Sequence, residues 1–394
     1  MDKKNKTPNV PNLRFKEFHK EWKKLQIGNL IKERKEYTSD FEKYPLYSFT
    51  LESGITPKSE RYERSFLVKK EGDLFKIVHQ NDFVMNPMNL RFGAINYSKI
   101  NQIVSVSGYY DIFTIDECKY NEFWNAYFKT PRMIYTYNTI ATGSLVEKKR
   151  VYFKQLKELK MYIPNDMEKN KINEFINLLN ERIQTQIKII SDYNSLKRGI
   201  TQCIFNTSQQ YSSVHLKVIL KEISRKNKNR DNNNILSVSN SLGFIKQSEQ
   251  FEDREIASSD TSNYKIVNKN EYAYNPARIN VGSIARLQNF DCGIVSPMYT
   301  IFTIDISKIT YEYFDLFLQS STFQKQLSQK LEGSVRQCLT FASMQNILIK
   351  LPPLETQIEI SGKMKFIDSK IKLESDYLNL LQSEKNYLLK NLFI

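Results

Sequence analysis

Lys76-Ile77-Val78, Asn81, Asn86-Pro87, Gly93 and Ile95 stand in the first half of the chain. Lys265-Ile266-Val267, Asn270, Asn275-Pro276, Gly282 and Ile284 stand in the second. Each pair is separated by 189 positions. The same offset carries Ile112-Phe113-Thr114-Ile115-Asp116 onto Ile301-Phe302-Thr303-Ile304-Asp305, Val106-Ser107 onto Val295-Ser296, and Gly54 onto Gly243. A fixed long period of this kind is the mark of one structural unit made twice. The register runs without a gap for about seventy residues, which chance does not produce.

Working outward, Gly143-Ser144 answers Gly333-Ser334, and Ile163-Pro164 answers Leu351-Pro352, with small changes in length between them. After each proline comes a segment of helical period. In the first copy its apolar positions are Ile172, Ile176, Leu179, Ile183, Ile187, Ile190, Tyr193, Leu196, Ile200 and Ile204. A shift of 188 leads to Ile360, Met364, Ile367, Ile371, Leu378, Leu381, Leu388 and Leu392, broken only at Ser375 and Glu384. Steps of three and four residues predict one apolar stripe along each helix. Helices of about 35 residues span roughly 50 Å, and a single stripe at that length needs a partner. The expected core of an antiparallel helix pair is therefore Ile172, Ile176, Leu179, Ile183 and Ile190 against Met364, Ile367, Ile371, Leu378 and Leu381.

Ahead of each helix the pattern is mixed. Ile112–Ile115 and Ile301–Ile304 are β-branched and aromatic and suit buried strands. The Asn-Pro pairs suit a strand end or turn. Phe123 to Tyr137 and Tyr311 to Gln329 read as helices packed on a sheet. The expected fold class is α+β: two repeated mixed α/β units, residues 1–164 and 207–353, with long spacer helices at 165–206 and 354–394, related by a pseudo-two-fold.

The 394 residues carry 58 Lys+Arg against 43 Asp+Glu, a net charge of +15. A chain this basic usually meets a polyanion, although a composition rich in Lys, Asn and Ile can inflate the balance by itself. No apolar run approaches the ~18 residues that span a bilayer, and mean hydropathy is −0.51, which excludes a membrane protein. The segment Met1–Lys6 has charge but no apolar stretch to follow. Cys118, Cys203, Cys292 and Cys338 are scattered with no Cys-x-x-Cys pair, against a disulfide framework or zinc ribbon. A cytoplasmic location is expected.

Catalytic motifs are missing. His19, His79 and His215 are not paired at metal-binding spacing, and there is neither a phosphate-cradling P-loop nor a Gly-x-Gly-x-x-Gly turn. Asn86-Pro87-Met88-Asn89 superficially resembles the Asn-Pro-Pro-Tyr of adenine methyltransferases, but it lacks the second proline and the aromatic that stacks on a flipped base. Binding chemistry is present instead. Side chains suited to phosphates and base edges fall at matching places in both copies. They are Lys58, Arg61 and Arg64 beside Gln247 and Gln250; Asn89 and Arg91 beside Arg278, Asn280, Arg286 and Gln288; and Lys148, Lys149 and Arg150 beside Arg336 and Gln337. One frame with different polar tips would read two different short sequences. Freely diverging surface loops would give the same pattern at any single residue, so the cluster weighs more than its members.

Two units, each closed by Gly-Ser, a proline and a long helix, resemble the specificity subunit of Type I restriction–modification systems. The likeness is carried by Tyr274-Asn275-Pro276-Ala277-Arg278-Ile279-Asn280-Val281-Gly282-Ser283-Ile284 and by Leu351-Pro352-Pro353-Leu354-Glu355-Thr356-Gln357. The first copy departs from the second motif, with Ile163-Pro164-Asn165-Asp166-Met167-Glu168-Lys169. The resemblance implies a non-catalytic subunit that reads a split, asymmetric site in double-stranded DNA. It implies two methyltransferase (modification) subunits and restriction/translocase subunits as partners, with S-adenosylmethionine, ATP and Mg belonging to those partners and no cofactor in this chain. The alternative is a coiled-coil scaffold that binds protein or RNA.

Overall fold

A computed structural model of the chain describes residues 9–51, 54–57, 74–145, 148–207, 211–240, 242–247, 260–333 and 337–394. It divides into two compact units, residues 1–187 with 376–394, and residues 188–375. Each long helix runs through both.

The first unit is built on a four-stranded antiparallel sheet, in the order Ile31–Glu33, Asp111–Ile115, Phe83–Met85, Ile95–Tyr97. Beside it lie the pair Lys23–Gln26 with Lys160–Ile163, the sheet of Tyr37–Thr38, Phe75–Val78 and Val104–Val106, and the hairpin Tyr47–Thr50 with Gly54–Pro57. The second unit repeats the plan. Its four strands are Leu220–Ile223, Thr300–Ile304, Tyr272–Tyr274 and Ile284–Arg286, in the same order. They are joined by Ser213–His215 with Leu348–Lys350, Lys265–Asn268 with Cys292–Val295, and the hairpin Leu236–Ser239 with Gly243–Lys246. Register explains the repeated aromatics. Phe83 pairs with Phe113 across the strands and their rings stack at 5.4 Å. Tyr272 and Phe302 do the same at 5.2 Å.

The repeated small and polar residues have a backbone reason. Gly93 and Gly282 close a short helical turn with φ of 87° and 89°, and Asn81 and Asn270 turn between strands at 71° and 68°. These left-handed values suit glycine, and asparagine among the rest. The helical segments differ from the expectation, because each is two helices rather than one. Asn121–Phe128 and Pro131–Ile140 are separated at Thr130, whose Oγ1 accepts the Met133 N–H while Pro131 begins the new helix. Tyr311–Gln319 and Ser321–Lys330 are separated at Ser320, which caps Phe323 in the same manner. A capping side chain satisfies a helix-end donor and lets the axis change direction.

The long helices span Asp166–Gln202, continued by a wider turn at Cys203–Thr207, and Leu354–Asn391. In the first unit Ile176 and Leu179 line a crevice with Leu388, Leu389 and Leu392, and Arg182 donates to the Tyr377 hydroxyl. In the second, Ile200 and Ile204 pack with Ile360, Met364 and Ile367, and Lys197 meets Asp368 at 2.6 Å. Numbers rise on one helix as they fall on the other, so the pairing inside each unit is antiparallel. Of the proposed core positions, Ile172, Ile176, Ile183, Met364, Ile367 and Leu381 are buried, and Leu179, Ile190, Ile371 and Leu378 are partly so. Ile187 and Leu196, read as part of the stripe, are 41% and 50% exposed, while Gln186 and Thr201 are buried. The buried line follows the turn of the helix and takes polar residues where it meets them.

Both helices begin on a buried polar residue. Lys169 donates to Glu117 at 2.7 Å and Asp166 at 3.1 Å, and its ammonium lies against the rings of Tyr120 and Trp124. Gln357, 188 positions later, accepts from the Thr310 N–H and donates to the carbonyls of Lys308 and Pro352. The first copy's departure from the Leu-Pro-Pro-Leu motif thus keeps the burial and changes the chemistry.

Candidate nucleic-acid interface

In the second unit the Asn275-Pro276 turn sets the site. Asn275 is buried, and its Oδ1 accepts the Ala277 N–H at 3.1 Å while its Nδ2 points at the Met298 sulfur at 3.7 Å. The side chain is occupied by its own turn, which is why asparagine stands there. The turn delivers Arg278 and Asn280 to the surface, both exposed, before Gly282 reverses the chain. A cleft of about 350 Å3 gathers Gln247, Asn275, Arg278, Val281 and Met298. A wider groove of about 580 Å3 holds Gln288, Arg286, Gln319 and Gln324. Ser239 and Asn240 of the hairpin border both.

Arg286 is engaged inside the unit. Its guanidinium meets Asp315 at 2.7 Å, donates to Asn270 Oδ1 at 3.2 Å and lies over the Tyr311 ring at 5.0 Å. Asp315 also accepts the Tyr272 hydroxyl at 2.8 Å. Burial raises the Asp315 carboxyl despite the nearby Arg286, and it raises the Tyr272 phenol well above its usual range. Arg286 therefore clamps strand Ile284–Arg286 to helix Tyr311–Gln319, and Gln288 is the exposed polar tip on that side.

In the first unit Asn86 Oδ1 accepts the N–H groups of Met88 and Asn89, the counterpart of the Asn275 turn. Asn89 is exposed. Arg91 is buried against the Phe92 ring at 5.2 Å. Lys148 is exposed and Lys149 half-exposed, and Arg150 lies over the Tyr109 ring at 5.2 Å. Gln337 is exposed in the second unit. Lys58, Arg61, Arg64, Gln250 and Arg336 lie outside the described residues. The sequence reading sought polar tips and so passed over Phe92, Tyr109, Val281 and Met298, which are exposed apolar residues at two equivalent positions of the repeat. The 189-residue offset itself would have found them.

Among the described residues, no group of three or more His, Cys, Asp or Glu side chains is placed to hold a metal ion. Nor, among them, is any helix long and apolar enough to cross a membrane. Residues 213–383 match the family model of the Type I restriction modification DNA specificity domain. The fold is similar to that of the S subunit of a Type I restriction–modification system from M. genitalium, with a TM-score of 0.54 and 14% identity over 98% of this chain and 99% of that one. It is also similar to a chain from a structure described as the basis of complex assembly and conformational transition of the type I R-M system. There the TM-score is 0.57 and the identity 11%, over 94% and 97% of the two chains. No curated protein sequence matches the chain. The second half of the chain is thus similar to the Type I restriction modification DNA specificity domain, and the fold is shared with S-subunit structures of Type I restriction–modification systems over nearly the whole length.

Proposed function

We propose that each unit reads one half of a split, asymmetric DNA site, and that the length of the two long helices sets the gap between the halves. The observation that carries this reading is a shared frame with different tips. Exposed Arg278 stands where the first unit has exposed Asn89, on turns between strands of the same order and register. Arginine recognises guanine through two acceptors, asparagine and glutamine recognise adenine, and lysine holds phosphate or guanine. Equivalent positions with different side chains therefore address different bases. Arg278, Gln247, Asn280 and Gln288 are the base-edge candidates of the second unit. In the first unit these are Asn89, Lys148, Lys149 and Arg150. Two modification subunits and, for cleavage, translocating restriction subunits would assemble with this chain in the cytoplasm. S-adenosylmethionine, ATP and Mg would be held by those subunits.

The test exchanges residues 216–351 for the corresponding segment of a homologue and maps the methylated site of the assembled enzyme. A change confined to one half of the site is expected. Simultaneous change in both halves would show that the units do not read independently.

A further inference from the structure

Met298 carries a long apolar side chain into the cleft beside Arg278 and is 63% exposed. Val281, 52% exposed, lines the same cleft. Neither supports the core, and neither has a task in the polar contacts assigned above. Single exposed apolar residues are ordinary on a protein surface. Here, however, the buried Asn275 that builds the turn also directs its amide at the Met298 sulfur, so one residue sets both the Arg278 backbone and the thioether. The equivalent positions 189 residues earlier hold Phe92, 59% exposed beneath the Arg91 guanidinium, and Tyr109, 38% exposed beneath that of Arg150. Both copies therefore present an exposed apolar or aromatic side chain at the same two positions, with a different residue at each.

We infer that Met298, steadied by Asn275 and assisted by Val281, reads a thymine through its 5-methyl group; this rests on the DNA-reading role proposed for the Arg278 cleft. The chemistry follows from what the major groove displays. Base edges there present hydrogen-bond donors and acceptors, and the thymine methyl is the apolar group among them. The Met298 sulfur is a weak acceptor already faced by the Asn275 amide, so this wall offers a cytosine amino group little return for its desolvation. It gives a thymine methyl dispersion contacts and removes it from water. With Arg278 alongside, the cleft matches a thymine adjoining a guanine.

Replacing thymine by uracil deletes only that methyl and leaves every hydrogen-bonding edge in place. The preferred duplex is first selected from a random pool with the full-length chain. Each thymine in it is then replaced singly by uracil, and affinities are compared for the wild type and Met298→Ala. At one thymine, uracil is expected to weaken the wild type about four-fold, the worth of one buried methyl group, and to leave Met298→Ala unaffected. Met298 is exposed, so the variant keeps its fold, and the wild-type measurement stands without it.

Three results overturn the inference while leaving DNA reading intact: a strongly preferred duplex in which no uracil replacement matters, a preferred duplex without thymine in either half, or a Met298→Ala variant as sensitive to uracil as the wild type. Failure of the chain to prefer any duplex would overturn both readings together.

Discussion

Arg278 and Arg286 lie eight positions apart in the same unit, yet they have opposite surroundings. Arg278 is exposed at a turn, whereas Arg286 is held by Asp315, Asn270 and the Tyr311 ring. Substituting Arg278 by Ala should leave the unfolding midpoint unchanged and relax one base position by ~1–3 kcal/mol if it reads guanine. If instead it holds phosphate, all sequences should weaken alike and the salt slope should fall by about one. Titrations on single-base variants at two salt concentrations distinguish these outcomes. Arg286→Ala should cost stability, about 3 kcal/mol, because it leaves a partly buried carboxylate without its partner. Denaturant unfolding of the second unit measures it. Lys129, beside Lys99 and Lys385 in the first unit, is pulled down to about 8 by burial, with Lys385 adding repulsion. Between pH 8 and 10.5 the unfolded chain keeps a proton that the folded chain has released, so stability should rise with pH across that window. Lys129→Met should abolish this rise and stabilise the protein at pH 7 by about 1–2 kcal/mol, less than the full shift implies because the ammonium partly reaches water. Melting curves of the two proteins from pH 6 to 10.5 check the sign.

At the scale of elements, the first long helix shows how pattern and packing part company. Ile183 and Ile187 are both isoleucines on one sequence stripe, but Ile183 is 7% exposed and Ile187 41%. Ile183→Ala should cost about 2–4 kcal/mol, and Ile187→Ala less than about 0.5 kcal/mol. Urea midpoints at unchanged m-value decide it. Equal costs would mean that the helix is rotated relative to the packing seen here. The helix starts are also legible only in part. A proline and a turn were visible before both, while the buried role shared by Lys169 and Gln357 was not, because a charged and a neutral residue look unrelated in sequence. Each is surrounded by groups from distant segments: Glu117 and Tyr120 in one case, Lys308 and Thr310 in the other.

At the scale of the whole molecule, the purified chain should transfer no methyl group and cut no DNA, yet it should direct both activities when its partner subunits are supplied. Radiolabelled methyl transfer to a cognate duplex, with and without the modification subunits, measures this. Incorporation by the chain alone would place a catalytic centre in it. The same preparation should bind its cognate duplex with a steep dependence on salt, as expected of contacts that release counterions.

The repeat, the strand pairs that carry Ile112–Ile115 and Ile301–Ile304, the Asn-Pro turns and the two long helices were all determined by sequence alone. Each rests on local geometry: left-handed turns demand glycine or asparagine, strands favour β-branched and aromatic residues, and helices repeat every 3.6 positions. The tertiary structure decided which side chains are free. Arg91 is buried, Arg286 is clamped and Asn275 serves its own turn, whereas Met298 and Val281 stand open in a cleft. Sequence spacing cannot reveal this, because a side chain is engaged or exposed according to neighbours brought from far along the chain. Asp315 lies 29 positions from Arg286, and only the packing of a helix on a sheet brings the two together.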